Sequence, residues 1–322
     1  LPVALTTLTR NANPAKPMRR GQAVRSDQGD QGRGRTFARQ IKAGLRAVCP
    51  RPVLMWREAR YFEQYGEFEL GLVQYLCRPA QDAIDVGANE GSYVHFMCRH
   101  ARRVYAFEPV PWLADRLREK FRSRVIVKPL ALSDAAGHAR LRIPVVDGEL
   151  ITGLSSLDTP ATTNAEMREF EVETATLDDA YTGDVGFIKI DVEGHEDAVL
   201  RGARRTLARS RPRIQIEIVE DLSPGGLRRA AEFFRAYGYH GYFIWDYALR
   251  PLAAFDPAVM QRSEIVDGFG PGIARRVFGR YVANFLFFPD HEPWRTFDNI
   301  RGVIDTARQA GAAAPEKAAA LT

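Results

Sequence analysis

IDVGANEGSY, residues 84–93, ends an apolar strand in a glycine turn that runs straight into helix-forming sequence. Gly87 and Gly91 let the backbone turn tightly and come close to a ligand. The helix starting at Gly91/Ser92 offers unpaired N–H groups to a carboxylate or phosphate. About 20 residues on, a second strand, RVYAFEP, ends in Glu108, the position from which a carboxylate grips a ribose diol in doubly wound folds.

Outward from that turn, strands and helices alternate. RVIVKPLAL, GFIKIDV, RIQIEIV, HGYFIWD and NFLFFP read as further strands. WLADRLREKF, with Pro111 in its first turn, and EDAVLRGARRTLAR read as helices, as does SPGGLRRAAEFFRAYGY with Ser223 as N-cap and Gly238 as stop. HARLRIP and FEVETATLD flank a polar loop and form a β excursion over one rim. Repeated β-α-β units imply an α/β fold, a doubly wound and mostly parallel sheet with helices on both faces. The chain divides into a disordered basic leader (1–45), a helical lead-in (46–80), a main domain (81–290) and a C-terminal extension (291–322) with a frayed Ala-rich end.

Charge is unevenly placed. Residues 1–40 carry eight basic and two acidic side chains, +6 of a total of +5, which leaves −1 for the remainder. The body therefore has no electrostatic footprint for nucleic acid. Three cysteines far apart argue against a disulfide framework or a zinc site, and no apolar run reaches membrane-span length. A cytoplasmic protein is the expectation, with no membrane partner.

FIKIDVEGHE, residues 187–196, ends a buried-looking strand in Asp191, Glu193 and Glu196. Ligands of open α/β sheets bind beyond the carboxyl ends of the strands, so these acids are expected at a reaction rim. Glu196 is instead a first-turn acid favoured by the helix dipole. His195 reads as a solvated helix-start residue, and Lys189 equally as a buried partner for a neighbouring acid or as a substrate contact.

The ligand can be narrowed. A dinucleotide fingerprint is G-x-G-x-x-G, but here Asn89 stands where the middle glycine should be and Glu90 lies beside it. A carboxylate there would repel a pyrophosphate. A ligand with one ribose, an ammonium and a carboxylate fits better, and S-adenosylmethionine has those groups; Asp85 at the strand end would accept from an ammonium or hydroxyl.

DVGANEGSY, YAFEP, ALSD, GLSSL, TLDD and IKIDVEGHE, in that order, resemble the FkbM family of S-adenosylmethionine-dependent methyltransferases over roughly residues 80–220. The resemblance implies a seven-stranded, Rossmann-like class I methyltransferase sheet whose last strand is antiparallel. It also implies O-methylation of a small hydroxylated acceptor such as a sugar, glycan or polyketide. By the match, Asp85, Gly87, Asn89, Gly91 and Tyr93 contact the methionine half of the cofactor. Glu108 holds the ribose, and Ser133 and Asp134 lie beside the adenine. Gly153, Ser155 and Ser156 match the family's G-x-S-S pattern and suggest a polar loop over the cofactor.

A sugar hydroxyl needs a general base, and Asp191 is the first choice, with Glu193 and Glu217 orienting the acceptor. Asp191 could instead bind the cofactor's ammonium. The clustered acids are compatible with a divalent cation and do not indicate one. The rival readings are an NAD(P)-dependent oxidoreductase and a non-catalytic cofactor-binding module. Acceptor identity and oligomeric state are not encoded legibly.

Overall fold

Short segments rich in β-branched and aromatic residues, punctuated by glycine and proline, become the strands of a computed structural model that describes residues 51–146, 148–158, 166–262 and 280–312. The basic leader, the first residues of the lead-in and the Ala-rich end lie outside the described residues. The strands are β1 (Asp82–Val86), β2 (Val104–Phe107), β3 (Val125–Lys128), β4 (Ala131–Leu132), β5 (Gly137–Val146) and β6 (Glu149–Leu150). They continue as β7 (Glu166–Ala175), β8 (Val185–Ile190), β9 (Arg213–Glu217), β10 (Tyr239–Trp245), β11 (Ala248–Pro251) and β12 (Asn284–Pro289).

Eight strands form one sheet in the order β11-β10-β12-β9-β8-β1-β2-β3. The five from β9 to β3 run parallel, and β12 lies antiparallel between β9 and β10. The central strands β1 and β8 are buried along their whole length, as expected for a parallel sheet covered on both faces. Ile84 and Val86 point into one apolar layer with Ile188 and Phe234, while Ala83 points into the other with Met97, Phe288 and Ile300.

The seven strands and the antiparallel final strand are present, but the sheet has an eighth, β11. Its hairpin turn is Asp246-Tyr247, with φ of 47° and 50°. Two consecutive left-handed residues match the twist of a two-residue hairpin, a turn normally written Asn-Gly or Asp-Gly. Tyrosine at the second position conceals it from sequence reading. RVIVKPLAL is likewise two strands, not one. Pro129 has no N–H to give a ladder, so β3 stops at Lys128, and β4 joins a second sheet in the order β4-β7-β5-β6.

One further expectation changes. Ser223 does not cap the helix Gly226–Ala236; the Glu220 carboxylate does, accepting the N–H groups of Gly225 at 2.7 Å and Leu227 at 3.1 Å. The described part of the C-terminal extension, up to residue 312, packs onto the main domain. Helix Trp294–Ala312 buries Ile300 and Ile304 in the same layer as Leu76 and Phe288.

That helix is also pinned through Arg213. Its guanidinium reaches the carbonyls of Tyr75, Leu76 and Cys77 at 2.7, 3.3 and 3.3 Å and the buried Glu292 at 2.6 Å. Burial alone would raise the Glu292 pKa, but hydrogen bonds from Arg213 and Thr296 hold it below the usual range. Arg213→Ala is expected to cost about 3 kcal/mol in urea titration at neutral pH, since it leaves the buried Glu292 carboxylate with only the longer, 3.2 Å ion pair to Arg78 and frees the three carbonyls. Because the Glu292 pKa is depressed, its pairing stabilises at neutral pH and is lost as pH falls through the folded value. The deficit should therefore shrink in acid.

Candidate active site

Three glycine-turn residues converge at the carboxyl end of β1. Gly87 has φ of 78°, and a Cβ there would stand 1.9 Å from the carbonyl oxygen of Asp191, which follows β8. Only glycine allows the ends of β1 and β8 to come this close. Asn89 has φ of 45°, a conformation that asparagine tolerates better than most residues. Its backbone N–H donates to Glu108 Oε2 at 2.7 Å, and its side-chain Oδ1 accepts from Thr152 at 3.3 Å. Gly91, with φ of 79°, faces elsewhere: a Cβ would meet Leu117 at 2.6 Å and Phe121 at 2.7 Å, so its role is to seat the helix Pro111–Phe121.

Glu108 follows β2 and is buried. Its Oε1 accepts the N–H of Val110 at 2.9 Å, so each oxygen holds one backbone donor and keeps acceptor capacity for a ligand. Burial pushes its pKa up to about 7 against the pull of those two N–H groups, and Asp85 and Asp191 add to the rise.

Asp85 and Tyr93 lie behind this turn in a buried polar network. Tyr93 donates to Glu67 at 2.6 Å and accepts from Gln215 at 2.5 Å. Gln215 also donates to Asn284 at 2.8 Å, and Lys189 stacks over the Tyr93 ring at 4.9 Å. Asp85 is level with Lys189 across the β1–β8 ladder. Burial raises its pKa to about 6, opposed by Lys189 and assisted by Asp191. Its Oδ1 is buried and has no protein partner.

The acids of β8 and β9 form the adjoining rim. Lys189 bonds Asp191 Oδ2 at 2.6 Å, the first of the two roles open to this lysine. Burial would lower the Lys189 pKa, but Asp191, Asp85, Glu67 and Glu217 together raise it. Glu193 sits at φ of 49° and, like Glu217, is half-buried. Burial first and Asp191 second drive both carboxyls well above the usual range. Among the described residues no group of three His, Cys, Asp or Glu side chains is placed to hold a metal ion.

The far end of the cleft was read differently from sequence. His195 is not solvated: its ring bonds Ser133 Oγ at 3.0 Å and Asp158 at 2.9 Å, and it lines the cleft. Asp134 is taken by Arg201 at 2.9 Å. The G-x-S-S segment lies over this cleft, with Ser156 Oγ donating to the Glu193 carbonyl at 2.6 Å. A histidine two residues after a glutamate at a strand end carries no signal of a partner 37 residues earlier, so sequence could not pair His195 with Asp158. The resulting cleft is lined by Gly87, Asn89, Glu108, Leu132, Thr152, Gly153, Asp191, Glu193 and His195. Gly87, Asn89, Glu108, Asp191 and Glu193 thus meet at one cavity, Ser133 borders it through His195, and Asp85, Tyr93 and Glu217 belong to the polar layer beside it.

Comparison with known proteins adds the following. Residues 85–241 match the family model described as the methyltransferase FkbM domain. The chain is 28% identical over 158 residues to the 2-O-methyltransferase NoeI of Sinorhizobium fredii, a match covering 44% of this chain and 64% of that protein. A solved FkbM methyltransferase from Methylobacillus flagellatus is 16% identical, with a TM-score of 0.41 over 65% of this chain and 44% of that one. An S-adenosylmethionine-dependent O-methyltransferase from Thermotoga maritima is 10% identical, with a TM-score of 0.33 over 70% and 66%. The fold stands on the strand order itself, without need of these superpositions. Residues 85–241, which carry the glycine turn, Glu108 and the acidic rim, are thus the part of the chain that is similar to the methyltransferase FkbM domain.

Proposed function

We propose that the protein is an S-adenosylmethionine-dependent O-methyltransferase acting on a hydroxyl of a small molecule, with a sugar, glycan or polyketide as the acceptor class. The observation that carries the reading is Glu108. A buried carboxylate at the end of β2, fixed by two backbone N–H groups and opening onto a glycine turn, suits a ribose diol. Gly87 and Asn89 would hold the methionine half, with Asp85 behind them and Ser133 and Asp134 toward the adenine. The cofactor, when bound, supplies an electrophilic methyl group.

The chain's own residues then have two tasks, alignment and proton removal. Asp191 lines the cleft with one oxygen fixed by Lys189, while its Oδ1 makes no hydrogen bond within the described residues and is free to take the acceptor's proton. Glu193 and Glu217 flank it and would orient the acceptor. The 2-O-methyltransferase NoeI supports hydroxyl chemistry by its name, at 28% identity.

The test is calorimetric titration with S-adenosylhomocysteine, with NADH as the comparison, followed by transfer of labelled methyl to a panel of hydroxylated acceptors. Saturable binding of the first ligand alone is expected. Asp191→Asn should keep that binding and lower turnover by about 10²- to 10⁴-fold, the usual worth of a general base. Binding of NADH alone would overturn the reading.

A further inference from the structure

The rim holds more negative charge than methyl transfer to a neutral alcohol requires. Glu67 bonds Tyr93 and, at 3.4 Å, Asn284. Asn284 stands opposite Glu217 in the β12–β9 ladder and accepts from Gln215. Gln215 neighbours Lys189 in the β8–β9 ladder, and Lys189 bonds Asp191, with Glu193 two residues on. Hydrogen bonds, strand register and charge proximity thus group Glu67, Asp191, Glu193 and Glu217 together, with Asp85 on the same sheet face. Five carboxylates therefore surround Lys189, and among the described residues Lys189 is the single cation bonded to any of them.

A second, independent feature points to a ligand with donors. Gln215 is fully buried, and while its amide nitrogen is bonded twice, its Oε1 has no partner. Asp85 Oδ1 is buried and unpartnered in the same layer. Buried acceptors without donors are costly unless something bound supplies them. S-adenosylmethionine, on the function proposed above, has two positive groups and one negative group, a net gain of one positive charge. That offsets Asp85 or Asp191 and leaves Glu67, Glu193 and Glu217 uncompensated. All three are half-buried, neither sealed from a ligand nor fully screened by solvent.

We propose that the acceptor carries a protonated amine near its reacting hydroxyl, as an amino sugar does, and that the wall of Glu67, Glu193 and Glu217 holds the ammonium. Glu193 lines the cleft, and Glu217 and Glu67 stand beside it in the adjoining acidic layer; once ionised, three carboxylates so grouped match the three donors of an ammonium. The lone Lys189 is already committed to Asp191 and does not compete. A neutral acceptor would leave the wall to be neutralised by protons instead, and the raised carboxyl pKa values of Glu193 and Glu217 show that cost in the free protein.

The experiment titrates the protein, saturated with S-adenosylhomocysteine, with methyl 2-amino-2-deoxyglucoside, with its N-acetyl derivative and with the plain methyl glucoside. All are run at a pH where the amine is charged and in two buffers of different ionisation enthalpy. The amine is expected to bind at least about tenfold tighter than either neutral probe, the ratio one charged hydrogen bond supplies. It should release protons from the rim on binding, because a cation lowers raised carboxyl pKa values. Glu217→Gln should bring the ratio toward unity without loss of S-adenosylhomocysteine binding. Should that variant fail to fold, added salt acting on the unaltered protein must shrink the same ratio. Equal or weaker binding of the amine, with S-adenosylhomocysteine still bound, overturns this inference alone. Failure of S-adenosylhomocysteine to bind overturns the function itself.

Discussion

Replacing Glu108 with glutamine is expected to weaken S-adenosylhomocysteine binding by at least about 100-fold, while the thermal transition stays within a few degrees of the parent. The carboxylate accepts from two backbone N–H groups, those of Asn89 and Val110, at 2.7 and 2.9 Å. A glutamine can satisfy one of them with its oxygen, but must then turn its NH₂ toward the other, and donor faces donor. The turn that shapes the cleft loses its anchor, and on the proposed function a bound ribose would lose a charged acceptor. Charged hydrogen bonds contribute about 1.5–3 kcal/mol each, so two affected contacts account for the predicted factor. The pH dependence follows from the same group. Its pKa is pushed up to about 7, whereas a diol donates best to the ionised form. Affinity should therefore rise as pH increases through 7 in the parent and lose that dependence in Glu108→Gln. Parent-like affinity in the variant would remove Glu108 from the cofactor site.

What the sequence made legible was whatever depends on local pattern. Period-two and continuous apolar runs marked the strands of the main sheet, and the turn at Gly87 and the acid at Glu108 fell where a strand-end site must be. What escaped depends on contacts between distant segments. Glu220 caps a helix for which the sequence offers Ser223, because the cap is set by how the chain enters from β9. β11 was hidden by a hairpin turn made with Tyr247 in a left-handed conformation, which the surrounding packing enforces against its intrinsic preference. Helix Trp294–Ala312 falls in the stretch assigned to a C-terminal extension, and its packing is illegible there because its apolar stripe has meaning only against Phe288 and Leu76. Gly91 was read as a ligand contact, yet the close approach it permits is to Leu117 and Phe121. The residue type was informative; which neighbour required it was not.

The polar layer behind the cleft is the part whose energetics were least visible, and Lys189→Met tests it. Lys189 is buried beside Asp85, Asp191, Glu67 and Glu217 and bonds Asp191 directly at 2.6 Å. Methionine fills a similar volume but leaves a buried carboxylate layer with no internal cation. Breaking a buried pair in this way costs about 3–5 kcal/mol, a large share of the stability of a single domain. The sign of the pH dependence follows from Asp85, whose pKa burial already raises from 3.8 to about 6. A raised carboxyl pKa favours the folded state below the unfolded value, and that advantage is lost as pH rises through the folded one. Without Lys189 the folded value rises further, so the penalty continues to grow above pH 6, where the parent has levelled off. Urea titrations should show the variant close to the parent near pH 4 and several kcal/mol weaker at pH 8. A deficit of the same size at both pH values would mean that Lys189 acts through packing on Tyr93 and not through its charge. Turnover offers a separate readout, because Asp191 without its lysine is no longer fixed at the cleft wall. Loss of methyl transfer with S-adenosylhomocysteine binding retained would place Lys189 as the residue that positions Asp191, the proposed base.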